Sequence, residues 1–387
     1  MKKYAYIGCL GFIAVITTEF GIIGILPQIA EHYKISIDKA GYLLSAFALI
    51  IALTGPFMTL LVSGYDRKKI MLTSIAIFLI TGLVSSFSPP FWLLMVVRVL
   101  PAFLQPVYIA TALSVAVSDA TDNKNELMSI VFSGVALAMV TTVPFATWIS
   151  SLWSWEYSFM IQTLVCFIAF MMIYFMLPSI PVKEKKSYGS QLKILMQPSF
   201  MLSTAANFFM ITAWFSTYSY FADYLNKAKG MNETMISYML FVFGIIGVLS
   251  TWIAGKMLKH NVTKTMAFFL SGTLVVPVLL YVSHDDLFST IMVIGIWGFM
   301  YSPSFLNAST YMISSAPDSL EFANSLATSF GNLGVTLGTT LGGWMIVSKG
   351  VANNIWICFA FGLLALLMML LRSVYDSKSK EVTVAEK

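Results

Sequence analysis

Two charged side chains stand inside otherwise apolar stretches of the chain. Glu19 lies in the run 4–29, and Arg98 lies in the run 91–117. Holding an ionised side chain in bilayer hydrocarbon costs about 2.5–3.5 kcal/mol on insertion scales, so intramembrane ionisable residues are functional-site candidates by default. The chemistry open to such a pair is the binding and release of a proton within the membrane.

Helical geometry predicts that the two residues lie at similar depths. With the N-terminus inside, Glu19 is ten residues from the outer end of its run, and Arg98 is seven residues from the outer end of its own. These separations correspond to about 15 Å and about 10 Å along a helix. Either the two residues form a static ion pair, or Glu19 exchanges a proton while Arg98 stays charged. Both alternatives place them in one polar pocket.

The composition predicts a helical membrane protein with many spans. Of its 387 residues, 58% are hydrophobic and 11% are charged, whereas soluble proteins have about 25% charged residues. The net charge of +5 comes from basic residues in short loops, which indicates membrane topology and no nucleic-acid partner. The first run is too long for a cleavable signal peptide, so we expect it to remain as a span.

Twelve apolar runs follow one another along the sequence, and they predict twelve transmembrane helices. A shift of 196 positions superposes several residues of the first and second halves, for example Tyr42 on Tyr238 and Trp148 on Trp344. We therefore predict an all-α fold made of two pseudo-symmetric six-helix bundles, with a substrate site between them near the bilayer midplane. The predicted segments are an N-terminal bundle, a cytoplasmic linker, a C-terminal bundle and a cytoplasmic tail, at 1–180, 181–198, 199–373 and 374–387.

The distribution of basic residues predicts the orientation. With both termini in the cytoplasm, 17 of the 23 Lys and Arg residues fall on the inner side and five on the outer side, and Arg98 falls within a span. This bias follows the positive-inside rule.

Polar and aromatic side chains at helical spacing are candidates for the lining of a substrate site. Gln105 lies two turns from Arg98 on the same helix face. The seventh, tenth and eleventh runs add further candidates: Asn207, Trp214, Tyr218, Trp297, Tyr301, Asn324 and Asn332. Such stripes either line a cavity or serve only helix packing, because small and polar residues commonly hold membrane helices together.

The loop after the second run carries Asp66 beside three basic residues, Arg67, Lys68 and Lys69. This cluster either caps helix ends and pairs with a neighbouring helix, or it only fixes topology. The cysteines and histidines have no metal-ligand spacing, and no nucleophile and base recur together. We therefore expect no cofactor, no metal and no enzymatic activity.

Several motifs resemble those of the major facilitator superfamily, and in particular its bacterial twelve-span drug/proton antiporters. They are TEFGIIGILPQIA (18–30), GYLLSAFALIIALTGP (41–56), DRKK (66–69), Arg98 with RVLPAF, and NSLATSFGNLGVTLGTTLGG (324–343). The resemblance implies an inner-gate role for Asp66 and Arg67 and a proton-coupling role for Glu19 and Arg98. It also implies helix-packing roles for Pro144, Gly338 and Gly342. Thr142 and Ala146 depart from the antiporter motif, which has glycine at both positions.

The leading hypothesis is proton-driven efflux of a small amphipathic compound by alternating access. One alternative is proton-coupled uptake or facilitated diffusion of a sugar or nucleoside, and another is a transport-inactive sensor or a lipid-handling protein. The expected partners are a small-molecule substrate, protons and the lipid bilayer, and the expected functional unit is a monomer in the bacterial inner membrane.

Overall fold

The computed structural model describes residues 2–62, 64–118, 124–181, 194–282, 287–316 and 320–385. This part of the chain is helical throughout and contains no strand, which confirms the predicted all-α class. The helices of the first half are α1 Lys2–Phe20, α2 Leu26–His32, α3 Ile37–Leu61, α4 Arg67–Ser85, α5 Phe91–Ala102, α6 Gln105–Ala116, α7 Lys124–Val140, α8 Thr142–Leu152 and α9 Glu156–Met176. Those of the second half are α10 Pro198–Tyr218, α11 Phe221–Lys227, α12 Glu233–His260, α13 Val262–Val282, α14 Leu287–Tyr301, α15 Ser304–Ile313, α16 Leu320–Lys349 and α17 Ile355–Ala385.

These helices assemble into twelve membrane spans. Ten helices or helix pairs among the described residues are long and apolar enough to cross a bilayer. The other two spans, α10 with α11 and the 30-residue α16, have the length but contain more polar side chains. Most of the predicted linker, 182–193, lies outside the described residues, and α17 continues as a helix into the segment expected to be a tail.

Five of the spans are each built from two helices instead of one. The breaks fall between α1 and α2, α5 and α6, α7 and α8, α10 and α11, and α14 and α15. Proline accounts for several of them, because it has no N–H to continue the helical ladder. Pro27, Pro106 and Pro144 lie within the first three residues of the helices that follow three of these breaks.

The break in the tenth span shows how the freed backbone groups are satisfied. Pro303 cannot donate to the carbonyl of Phe299, four residues earlier. Ser250 on α12 supplies the missing donor, since its hydroxyl donates to the Phe299 carbonyl. A break in the hydrocarbon region thus persists because a neighbouring helix restores the hydrogen bond.

The two six-helix halves pack along two seams. In one seam α3 lies against α16, and the Thr336 hydroxyl donates to the Ser45 carbonyl at 3.2 Å. In the other seam α12 lies against α7 and α8. We call the end of the bundle where α1 begins the terminal side, and the opposite end the far side.

Glycines let α16 approach α10 very closely. A Cβ atom at Gly338 would lie 2.5 Å from the Thr212 carbonyl oxygen, and one at Gly342 would meet the Ser216 carbonyl. Both neighbours are backbone atoms, which cannot move aside as a flexible side chain can. The two glycines therefore hold the small-residue contact by which membrane helices associate.

One assignment from the sequence needs correction, because we expected Glu19 and Arg98 to be the only charged residues well inside the spans. Arg372 lies within the last span and is only 8% exposed. The apolar run ends just before Arg372, but the helix continues, and neighbouring helix ends cover its long side chain.

We predict that Gly338→Ala destabilises the folded protein by about 1–3 kcal/mol, because the added methyl group overpacks a contact with rigid backbone. Thermal unfolding in detergent measures the change. The matched control is Gly255→Ala on α12, where an added Cβ has nothing within 4 Å. That variant should be neutral or slightly stabilising, and equal losses in both variants would contradict the packing argument.

Candidate functional site

The first span breaks one residue after Glu19. Helix α1 ends at Phe20, so its last carbonyls have no helical donor. Gly21 supplies one, since its N–H donates to the Thr17 carbonyl at 2.9 Å. The Thr18 and Glu19 carbonyls need donors from elsewhere in the bundle, because both residues are buried.

Arg98 supplies those donors. Its Nη1 donates to the Thr18 carbonyl at 2.7 Å, and its Nη2 donates to the Glu19 carbonyl at 3.3 Å. The guanidinium also lies over the Phe47 ring, 5.1 Å from the centroid, and Arg98 is 2% exposed. A cation at a helix C-terminus opposes the negative end of the helix dipole. Arg98 is thus the cap of the broken first helix.

The carboxylate of Glu19 has a different partner. Gln105 donates from Nε2 to Glu19 Oε2 at 2.5 Å, and both side chains are buried. The structure therefore brings together Glu19, Arg98 and Gln105, as the sequence predicted. The contact between Glu19 and Arg98 runs through the backbone of Glu19, whereas the sequence hypothesis placed it at the carboxylate.

The second half presents an aromatic cluster toward this polar group. Tyr218 and Tyr301 have ring centroids 4.3 Å apart, and Phe243 stacks on Tyr218 at 5.1 Å. The cluster joins the first half through Phe20, next to Glu19, whose ring lies 5.9 Å from that of Phe215. The rings that contact one another in this cluster are Trp214, Phe215, Tyr218, Phe221, Phe243, Trp297, Tyr301 and Phe305.

The three predicted asparagines occupy different places. Asn207 is buried and donates to the Ala327 carbonyl at 3.1 Å, so it joins α10 to α16. Asn332 is buried and donates to the Thr328 carbonyl of its own helix at 3.0 Å. Asn324 lies exposed near the terminal-side end of α16, apart from the other candidates.

The structure adds residues that the sequence patterns missed. Asn307 on α15 is completely buried, and neither polar atom of its amide has a hydrogen-bond partner among the described residues. The hydroxyl of buried Ser304, one turn earlier, is likewise unpaired. The indole N–H groups of Trp214 and Trp297 also have no hydrogen-bond partner among the described residues. Ser304 and Asn307 follow Trp297 and Tyr301 at helical spacing in the tenth run, so the same sequence pattern indicates them as candidates.

The far side of the bundle is closed. Tyr220, at the break in the seventh span, donates from its hydroxyl to the Thr339 carbonyl at 2.9 Å, and the same hydroxyl lies against Gly41 of α3. The hydroxyls of Ser151 and Thr234 meet at 3.4 Å across the other seam. Between that contact and the bilayer middle, the seam opens laterally as an apolar groove of about 520 Å³ beside Thr142. The Thr142 hydroxyl, which lines this groove, bonds the Thr17 hydroxyl on α1.

On the terminal side, Asp66 and Arg67 bond residues of the first half. The Ser179 hydroxyl donates to Asp66 at 2.6 Å, and Arg67 Nη1 donates to the Ser114 carbonyl at 3.2 Å. Partial burial raises the pKa of Asp66, but hydrogen bonds from Ser179 and nearby backbone amides lower it by more. The net pKa is below the ordinary value, so Asp66 is ionised at neutral pH.

Similarity to known proteins identifies the family of this chain. The model of the Major Facilitator Superfamily matches residues 8–321. The chain therefore belongs to the major facilitator superfamily, whose members are transporters and not enzymes.

Several proteins with similar sequences are likewise named as transporters. A probable sugar efflux transporter of Helicobacter pylori is 24% identical over 351 residues, which cover 90% of each chain. The MFS-type transporter YtbD of Bacillus subtilis is 28% identical over 356 residues, 89% of this chain and 88% of its own. The inner membrane transport protein YdhP of Escherichia coli is 26% identical over 349 residues, 89% of each chain.

Solved structures agree on the fold. The nucleoside transporter NupG, as a D323A mutant, superposes with a TM-score of 0.74 at 12% identity and covers 96% of this chain and 99% of its own. A bacterial homologue of the human lysosomal transporter Spinster superposes with a TM-score of 0.73 at 15% identity, over 96% and 95% of the two chains.

We predict that Asn307→Leu stabilises the free protein by about 1–3 kcal/mol, because it removes a buried amide that has no partner. The same change should weaken cargo binding if the amide bonds the cargo. Thermal unfolding without added compounds measures the first effect. Asn207→Leu is the matched control, since it breaks a satisfied bond and should destabilise; destabilisation of both variants would show that Asn307 is bonded.

Proposed function

We propose that the protein exports a small amphipathic compound in exchange for protons by alternating access. The observation that carries this proposal is Glu19: a buried carboxylate at a helix break, held by Gln105 and close to the aromatic cluster of the opposite half. Proton-driven export requires a group that binds a proton from one side of the membrane and releases it to the other. Glu19 has the position and the chemistry for that task.

Arg98 would act as the fixed support of this group. A guanidinium stays charged at all physiological pH values, so Arg98 cannot carry the proton itself. By capping the α1 carbonyls it fixes the direction of the Glu19 side chain. Alternation between the two halves would then change the surroundings of a carboxylate whose own backbone does not move.

The cargo site would lie between Glu19 and the aromatic cluster. Stacked rings suit an apolar face, and the unpaired amide and indole groups suit hydroxyls or ring nitrogens of a cargo. The expected lining residues are Gln105, Trp214, Tyr218, Trp297, Tyr301 and Asn332, with Asn207 and Asn307 nearby in the second half.

A sugar is the second candidate for the cargo. The unpaired polar groups favour a cargo with several hydroxyls, and relatives carry the name of probable sugar efflux transporters. A thermal-shift panel of sugars, purines and lipophilic drugs on the purified protein separates the two cargo classes. A transport-inactive sensor would bind one of these compounds yet show no flux in proteoliposomes.

Charge asymmetry supports the bacterial inner membrane as the location, with both termini cytoplasmic. The terminal side is then the inner side, and the closed far side faces outward. Asp66 and Arg67 would form the inner gate, and the transporter would function as a monomer.

We predict that Glu19→Gln abolishes accumulation driven by a pH gradient in proteoliposomes, because the amide keeps the shape of the side chain but cannot titrate. Cargo binding should persist and lose its pH dependence for a cargo that does not itself titrate. Accumulation of the cargo identified in the panel is the measurement.

The control for this experiment is Glu31→Gln, the same substitution at an exposed position of the same span. It should leave accumulation unchanged. If Glu19→Gln vesicles still accumulate cargo, the proton site lies elsewhere, and buried Asp223, paired with Lys227 at 2.7 Å, becomes the next candidate.

We predict that Asp66→Asn lowers turnover and leaves cargo affinity nearly unchanged, because the loop lies outside the cargo site. Since the pKa of Asp66 is below its ordinary value, the carboxylate protonates only in acid, and its contribution is lost only as pH falls through that value. The turnover defect should therefore be equal at pH 6 and pH 8. The substitution Lys69→Gln at an exposed position is the control. Unchanged turnover in Asp66→Asn would show that the loop only fixes membrane topology.

A further inference from the structure

Arg372 is a buried cation that neither the proton site nor the cargo site uses. It lies on α17, and its side chain reaches the end of α15 on the terminal side. Burying a guanidinium is unfavourable without partners that satisfy its donors. Its contacts therefore indicate what it does.

Those contacts fix the C-terminus of α15. Nη1 donates to the Tyr311 carbonyl at 2.7 Å, and Nη2 donates to the Ser314 hydroxyl at 3.0 Å. The guanidinium also lies over the Tyr311 ring, 4.2 Å from its centroid. Tyr311 is among the last four residues of α15, so its carbonyl has no donor within the helix ladder. Arg372 thus caps this helix end as a rigid fork.

The opposite end of α15 is a break directly beside the aromatic cluster. Helix α14 ends at Tyr301, and α15 begins after Pro303. The bond that Pro303 cannot make is supplied from α12 by Ser250. Helix α15 is therefore a separate ten-residue segment, with a proline break at Tyr301 and an arginine cap at its terminal-side end.

The first half contains the same contact, made by an arginine from a different place. Helix α6 follows the break in the fourth span, and Arg67 donates to the carbonyl of Ser114, one of its last four residues. Tyr311 stands 197 positions after Ser114, one residue more than the repeat offset of 196. The same shift does not bring Arg67 near Arg372. The two halves therefore reach one arrangement, an arginine on the end of a half-helix, from unrelated sequence positions.

We propose that Arg372 is a positioning residue for transport: it makes α15 move as one body with α17, so that movement of the second half is transmitted to the break beside Tyr301. Without the fork, α15 pivots at Pro303 independently of α17. The inference needs only that the chain is a transporter and holds for export or uptake, with or without proton coupling.

The test measures the distance between α15 and α17 directly. Spin labels are attached at Ile313→Cys, the end of α15 farthest from Pro303, and at Leu370→Cys on α17; Ile313 is half-buried and Leu370 is exposed, while the three native cysteines are buried. In lipid nanodiscs, the protein with Arg372 should give a single narrow distance distribution. Arg372→Met should lose that single peak. A merely structural role would lower the unfolding temperature and leave the distance distribution narrow.

Two further variants keep the result interpretable. Arg372→Lys keeps the charge but lacks the planar fork, so it should give an intermediate distribution and serves if the Met variant does not fold. Lys256→Met removes an exposed cation from α12 and should keep the narrow peak. Narrow distributions in both Arg372 variants would overturn the proposal.

A transport assay tests whether Arg372 matters for turnover. Counterflow of the radiolabelled compound identified in the thermal-shift panel needs no proton gradient, so failure of Glu19 as the coupling group does not affect it. We expect Arg372→Met to lower the counterflow rate by about 10-fold with little change in half-saturation. An unchanged rate would overturn the role in transport.

Discussion

Helix ends inside the membrane are the constraint on which this structure depends. Each break leaves carbonyls without helical donors, and hydrocarbon offers no water to satisfy them. Three arginines provide donors at helix ends: Arg98 at the break after α1, and Arg67 and Arg372 at the terminal-side ends of α6 and α15. In each case the positive charge also opposes the negative end of a helix dipole. The break after α1 lies beside Glu19, so Arg98 both stabilises that break and positions the candidate site.

Close packing and aromatic packing occur in different parts of the molecule. Within the second half, glycines on α16 permit backbone-to-backbone contact with α10, and between the halves on the far side the hydroxyl of Tyr220 fills the space beside Gly41. Near the middle, aromatic rings from both halves replace this close packing. Rings and unpaired amides can accommodate a cargo, whereas backbone contacts cannot adapt. The difference separates the rigid supports of the fold from the region where binding is expected.

Glu19 and Gln105 illustrate how much of the candidate site residue types alone can predict. A carboxylate in an apolar run is visible from the sequence, and helical spacing places Gln105 on the face of Arg98. The sequence does not show which side chain bonds the Glu19 carboxylate, because this depends on the direction that α1 takes after its break. The unpaired state of the Asn307 amide is hidden for a related reason: an amide in a polar stripe looks the same whether its bonds are satisfied or not. Arg372 was misplaced because a span was taken to end with its apolar run.

The sequence alone determined the number of spans, the repeat and the two intramembrane charges near the site, because the bilayer thickness fixes the length of apolar run that a helix needs. Charge counts likewise predict an orientation from composition. Only the tertiary structure decided where the spans break, which side chains cap the helix ends and which side is closed. Those features depend on donors and acceptors brought together from positions far apart in the chain, such as Arg372 and Tyr311. Local patterns contain no information on such pairs, since any nearby helix with a suitable donor can satisfy a free carbonyl.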